Sequence, residues 1–114
     1  MVEAFLAASR GGDFEALIAL LDPEVVVRAD GAAVQIGAAS EVRGVKEVAA
    51  TFAGRARAAK LALIDGAPGL VWSQRGRPRV VFGFAIANGK ITGIELIADP
   101  GRIERFDVKV IRAE

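Results

Sequence analysis

Between Arg79 and Ala98 the chain runs through two apolar stretches, RVVFGFAIA and KITGIELIA, separated by Asn88-Gly89. Both turn residues accept the positive φ that a two-residue type I′ turn demands, so the pattern predicts an antiparallel hairpin. With Ala87 opposite Lys90, the register places Phe84 against Gly93, Phe82 against Glu95 and Val80 against Ile97 on one face. Val81 then meets Leu96, Gly83 meets Ile94 and Ala85 meets Thr92 on the other. Neither face alternates with polar residues, as one side of a half-solvated sheet would. The pattern predicts a hairpin covered on both sides, by helices on one and by a ligand cavity or a second subunit on the other.

The remaining periodicities fit around that hairpin. Val2, Phe5, Leu6 and Ser9 fall at helical spacing up to Gly11-Gly12, and Phe14, Leu17, Ile18 and Leu21 form a second stripe behind the capping residue Asp13. Asp22-Pro23 stops it, and Glu24 to Asp30, with Val25, Val26 and Val27, reads as a strand. Gly31 to Arg43 reads as a loop with one short strand. Gly44 to Ala59 reads as a third helix on the stripe Val45, Val48, Ala49, Phe52 and Ala56, with Arg55, Arg57 and Lys60 at its C-terminal end. Strands follow over Lys60 to Gly66 and Leu70 to Gln74, with turns at Asp65 to Gly69 and Gly76 to Pro78. After the hairpin, Asp99-Pro100-Gly101 breaks the strand, Arg102 to Arg105 forms a helical turn and Phe106 to Ile111 alternates as a last short strand. Helices segregated to one side of an antiparallel meander make an α+β architecture.

Composition narrows the chemistry. The 114 residues suit one domain, 1–114, and at 53% hydrophobic and 25% charged they are not a disordered chain. No apolar run reaches the roughly 18 residues of a membrane span and no signal pattern opens the chain, which predicts a cytoplasmic protein. Cysteine, histidine and tyrosine are all absent, removing disulfides, thiolate and imidazole metal ligands and the commonest general base. No metal and no cofactor are expected. A formal charge of +1, with both signs spread along the chain, carries no electrostatic footprint for gripping DNA.

Motifs add what composition cannot. The paired opening helices closing on Leu20-Leu21-Asp22-Pro23 resemble those of the NTF2-like superfamily, in its SnoaL-like branch. Gly12-Asp13-Phe14, Val27-Arg28-Ala29-Asp30-Gly31, Asp65-Gly66-Ala67-Pro68-Gly69-Leu70-Val71 and Ile97-Ala98-Asp99-Pro100 with Arg102-Ile103 occur in one order. Together they resemble the C-terminal domain of the extracytoplasmic-function sigma factors that carry a SnoaL-like domain behind their promoter-binding regions. The resemblance implies an NTF2-like (cystatin-like) cone, three helices of the N-terminal side packed on a curved antiparallel sheet. It also implies a noncatalytic, regulatory role. Asp30-Gly31-Ala32-Ala33 is similar to an Asp-Gly-Gly-Gly loop of that group, less its last two glycines. Asp99-Pro100-Gly101-Arg102-Ile103 is similar to an Asn-Pro-Asp-Lys-Leu segment, with the central acid replaced by glycine. The implied regulatory contacts are Asp30, Gly31, Asp99, Pro100 and Arg102. The implied partners are the factor's own promoter-binding regions and, through them, RNA polymerase core. Those regions lie outside these residues, and Met1 followed at once by a helix favours an excised domain.

Two other classes of function stay open on the residues. An isomerase or cyclase of the superfamily would use Asp30 or Glu95 as a base with its pKa raised by an apolar pocket. A ligand sensor would hold an apolar small molecule in the cone. The candidate pocket residues are Val27, Phe52, Trp72, Phe82, Phe84, Ile94 and Glu95. The ordinary alternative for Asp30 is a turn residue bonding the next backbone amides. For Glu95, on an apolar face, the alternative is an ion pair with Arg79 or Arg28; for Trp72 it is the core. Arg75, Arg77 and Arg79 read as solvated turn charges, with contact to nucleic acid or to an acidic partner as the alternative. The apolar second face of the hairpin predicts a homodimer of the isolated domain.

Overall fold

Three turns of one kind build most of the sheet. Asp65-Gly66, Arg75-Gly76 and Asn88-Gly89 all have both residues at positive φ, between 52° and 84°, the type I′ geometry that matches the twist of flanking strands. They chain β3 (Lys60–Ile64), β4 (Ala67–Gln74), β5 (Arg77–Ala87) and β6 (Lys90–Ile97) into an antiparallel meander. The computed structural model describes residues 1–55 and 57–111. Within them β1 (Leu21–Ala29) lies along β6, β2 (Glu41–Arg43) flanks β1 and β7 (Val108–Val110) flanks β3, giving the order β2-β1-β6-β5-β4-β3-β7.

The β1–β6 pair is parallel, so the curved sheet is mixed where the pattern predicted a wholly antiparallel one. A parallel pair needs a long crossover, and the chain between Ala29 and Lys60 begins it with two helices of its own. These are α3 (Gly31–Gln35), in a segment read as loop, and α4 (Val45–Phe52). The predicted short strand of that segment is β2. The third helix is shorter than its pattern: it ends at Phe52, leaving Arg55 and Arg57 exposed beyond it and Lys60 at the start of β3. Ala56, the last residue of its stripe, lies outside the described residues. The turn read at Asp65 to Gly69 is only two residues long, and Ala67-Pro68-Gly69 belongs to β4. A Cβ at Gly69 would stand 2.6 Å from the Phe82 carbonyl oxygen and 2.9 Å from Ile64 Cγ1, so only glycine allows β4 this approach to β5.

The hairpin register holds for the first two pairs, Ala87 with Lys90 and Ile86 with Ile91, and then slips at a bulge between Ala85 and Ile86. From there Phe84 faces Ile94, Gly83 faces Glu95 and Phe82 faces Leu96. One extra residue on β6 exchanges its faces beyond the bulge. Glu95 therefore leaves the apolar face on which the unbulged register put it.

Helices α1 (Val2–Gly11), α2 (Phe14–Leu20) and α4 cover one face. Phe5, Leu17, Val25, Val48, Leu70 and Ile91 are buried there in one cluster. Gly12 ends α1 in the left-handed conformation and the Asp13 carboxylate accepts from Ala16 N at 3.1 Å to start α2. Ser9 Oγ donates to the Phe52 carbonyl at 2.6 Å, tying α1 to the end of α4, and Lys90 Nζ donates to Ala19 O at 2.6 Å at the end of α2. The opposite face carries a smaller cluster, Ala62, Ile64, Val71, Val81, Ile97 and Ile103. Ile103 belongs to α5 (Pro100–Glu104), the short helix that crosses this face.

Candidate functional site

Asp30 follows the last residue of β1, where Ala29 pairs with Leu96 and Asp30 N donates to Leu96 O at 3.0 Å. Its extended backbone makes it the N-cap of α3, and Oδ1 accepts from Ala33 N at 2.9 Å. The same carboxylate reaches across to the end of β6: both oxygens lie 3.1 Å from Ala98 N, and Oδ2 accepts from Asp99 N at 3.1 Å. Arg102 Nη1 stands 3.7 Å from Oδ2. The side chain is 12% exposed. Burial alone would raise its pKa, but the amides of Ala33, Asp99 and Ala98 and the charge of Arg102 outweigh it and hold the carboxyl below its ordinary range.

The segment it grips is organised in the same way. Asp99 caps α5 by accepting from Gly101 N at 3.3 Å, and Pro100 sits at the start of the helix, where a missing N–H costs nothing. Arg102, one turn on, stands between Asp30 and Glu95, with Nη2 3.6 Å from Glu95 Oε2. Gly31 opens α3 and is exposed. Asp30, Gly31, Asp99, Pro100 and Arg102, far apart in the chain, thus form one cluster. The Asx-turn reading of Asp30 holds for Ala33. Sequence offered no signal for Ala98 and Asp99, because their amides become partners only through the β1–β6 pairing.

The seven candidate pocket residues separate. Val27, Phe52 and Ile94 are 1%, 5% and 2% exposed, in the core under the helices. Phe82 and Phe84 pack against that core, and Phe5 meets Phe52 and Phe84 edge-to-face at 5.2 Å each. These side chains fill the space between helices and sheet with aromatic contact. Glu95 is on the other face, its side chain 57% exposed, beside a shallow depression with Val26, Arg28, Gly83 and Gly93. It pairs with Arg102; neither Arg79 nor Arg28 is its ion-pair partner among the described residues. Arg28 instead joins Arg43 on Glu41, whose carboxyl is lowered chiefly by the hydrogen bond from Arg43.

Trp72 lines a groove of about 1100 Å³ on the face opposite the three helices. Its walls are the β4–β5 hairpin (Trp72, Gln74, Arg77, Pro78, Arg79), α3 with the residue that ends it (Ala32, Gln35 and then Ile36) and the chain from Ala98 through α5 to Val108. Sequence reasoning singled out Trp72 here and missed Ile36 and Phe106. The signal for Ile36 was faint: with Val34 and Val42 it is one of three scattered apolar residues in a Gly- and Ala-rich segment with no stripe to support it. Among the described residues no group of three or more acidic side chains could hold a metal ion, and no helix is long and apolar enough to cross a membrane.

No family model matches the chain, and no curated protein matches it. Solved structures do. The Mycobacterium tuberculosis extracytoplasmic function sigma factor SigJ superposes with a TM-score of 0.69 at 24% identity, over 90% of this chain and 43% of its own. An NTF-2 like protein of unknown function from Burkholderia xenovorans does so with 0.55 at 21% identity, over 98% and 83%. An LEH-like epoxide hydrolase from M. tuberculosis gives 0.56 at 24% identity, over 91% and 84%. The chain therefore spans less than half the length of the sigma factor it matches. Together with the curved sheet and its helices, these likenesses establish the fold as an NTF2-like α+β fold, one shared by a sigma factor and by an epoxide hydrolase-like protein.

Proposed function

We propose that this chain is a noncatalytic regulatory domain of an extracytoplasmic-function sigma factor. It acts in the cytoplasm by contacting the promoter-binding regions of its own factor, and so changes how often they engage RNA polymerase core and promoter. The observation that carries this reading is the meeting of the two motif segments. Asp30 and its α3, and Asp99, Pro100 and Arg102 of α5, form one surface unit held by a single carboxylate. A unit of that kind can present both segments to one partner. A population shift between engaged and free factor needs only about 1–3 kcal/mol of differential contact, or 5- to 150-fold.

The test uses the whole reading frame. Alanine at Asp99 and Pro100 in the intact factor should change transcription from its promoter several-fold, while the circular dichroism spectrum and melting of the chain's fold stay within a small shift. Unchanged transcription with the protein folded would overturn the reading. The enzyme reading needs a carboxyl held above its ordinary range as a base. Asp30 is held below it, and Glu95 is exposed and paired with Arg102.

A further inference from the structure

The groove opposite the three helices has a structural cause. β5 is eleven residues long and β6 eight, and β6 stops where Ile97 pairs with Val81. Arg77 to Val80 therefore overhang, paired only with β4. The overhang makes a step in the sheet, and α3 and α5 form the opposite wall. Apolar groups line this step, and the described residues cover them only in part. Trp72 is half-buried, Phe106 is half-buried, and Ile36, at 65% exposure, is the most exposed large hydrophobic side chain described.

The charges of the groove are unequal along its length. Arg77 and Arg79 line the end at the β4–β5 turn, and among the described residues neither has an acid within ion-pair distance, whereas Arg28, Arg43 and Arg102 all do. Of the lining acids, Asp107 is already paired with Lys109 at 3.8 Å. It lies at the far end, where its carbonyl accepts from Asp65 N beside the β3–β4 turn. Glu104 is exposed at the C-terminal end of α5. Glu104 has no ion-pair partner among the described residues, so the unpaired charges of the lining are Arg77 and Arg79 against one acid. The balance is positive, with both cations at one end of a trough running beside β4, itself eight residues or about 26 Å long.

We infer that this groove binds an elongated apolar molecule with one anionic head, a long-chain carboxylate in its simplest form. The head lies at Arg77 and Arg79, and the body lies along Trp72, Ile36 and Phe106. At about 1100 Å³ the groove is slightly larger than the usual small-molecule site, about 300–1,000 Å³. The site is on the outside of the cone, and the packed core under the helices takes no part in it. The inference does not depend on the sigma-factor reading, and its test involves no transcription.

Trp72 is the only tryptophan, so its emission reports on the groove. Decanoate below its micelle concentration should change that emission saturably, with a matching calorimetric isotherm; 1-decanol should bind at least ten times more weakly. Arg77→Gln with Arg79→Gln should weaken decanoate at least tenfold and leave decanol within twofold. Three results would overturn the proposal: no saturable binding of decanoate, calorimetric binding with no change in Trp72 emission, or equal affinity in the double variant. Binding to phosphatidylglycerol vesicles with none to monomeric decanoate would also overturn it, in favour of a membrane surface.

Discussion

Under α1, α2 and α4 the sheet is closed by large apolar side chains, with Phe5, Leu17, Val25 and Ile91 fully buried and three aromatic rings in edge contact. The other face is covered only in part, by the five-residue helices α3 and α5. Its anchors are Ile103 in a small aliphatic cluster and Asp30 beneath the β6–α5 junction. Burial is non-directional and almost independent of pH, whereas a carboxylate accepting amides is directional and titrates. The two faces therefore divide the work: one supplies stability, and the other holds two chain segments in a fixed relation beside an open groove.

The largest test of that division is Phe5→Ala, which should cost about 3–5 kcal/mol in a denaturant melt, since it empties the centre of the aromatic group. Ile103→Ala should fall near the low end for its class, about 2 kcal/mol, because a short surface helix relaxes around the loss. Equal losses would erase the distinction between the faces. Next is Asp30→Asn, expected to cost about 1.5–3 kcal/mol through weakened bonds to three amides and the lost charge opposite Arg102. The folded carboxyl lies below its ordinary 3.8, so the unfolded chain takes up the proton first as pH falls. Its contribution is complete above about pH 5, declines as pH drops past 3.8 and is gone below the folded value. Stability curves between about pH 5 and 2 should be steeper for the wild type than for the Asn variant; parallel curves would remove Asp30 as the titrating anchor.

Smaller effects sharpen the outer face. Arg75 is held at φ 55° in the β4–β5 turn, a conformation costly for a long side chain and accepted by asparagine. Arg75→Asn should raise the melting midpoint by an amount equal to about 1 kcal/mol or less. Glu95→Ala should change stability by less than about 0.5 kcal/mol, because its pair with Arg102 is exposed. A clear loss would mean that Glu95, and not Asp30, anchors Arg102.

Much of the frame was legible in local pattern. Gly12, Asp13, Asn88-Gly89 and the stripes of α1 and α2 act through neighbours a few residues away, and each appears where its spacing predicts. Asp30 was legible as a turn residue bonding the next amides, and it accepts from Ala33 N; Asp99 was legible only as part of the break after the hairpin, and the structure makes it the cap of α5. The candidate pocket was not, because one bulge at Ala85–Ile86 exchanged the faces of β6 beyond it and moved Glu95 outward. Alternation with period two cannot reveal a one-residue slip made by hydrogen bonding to a neighbouring strand.

By itself, then, the sequence determined the Asn88-Gly89 hairpin, the starts and stops of α1 and α2 to within a residue, the apolar character of the inner face and the lack of histidine, cysteine or tyrosine chemistry. These depend on residue type, backbone preference and short-range spacing. Only the tertiary structure decided that β1 runs parallel to β6, that Gly31 to Gln35 coil into a helix and that Trp72 faces a groove outside the cone. It alone brought Asp30 to Ala98, Asp99 and Arg102. Those outcomes rest on hydrogen bonds and packing between segments about seventy residues apart, which form only once the chain has closed on itself.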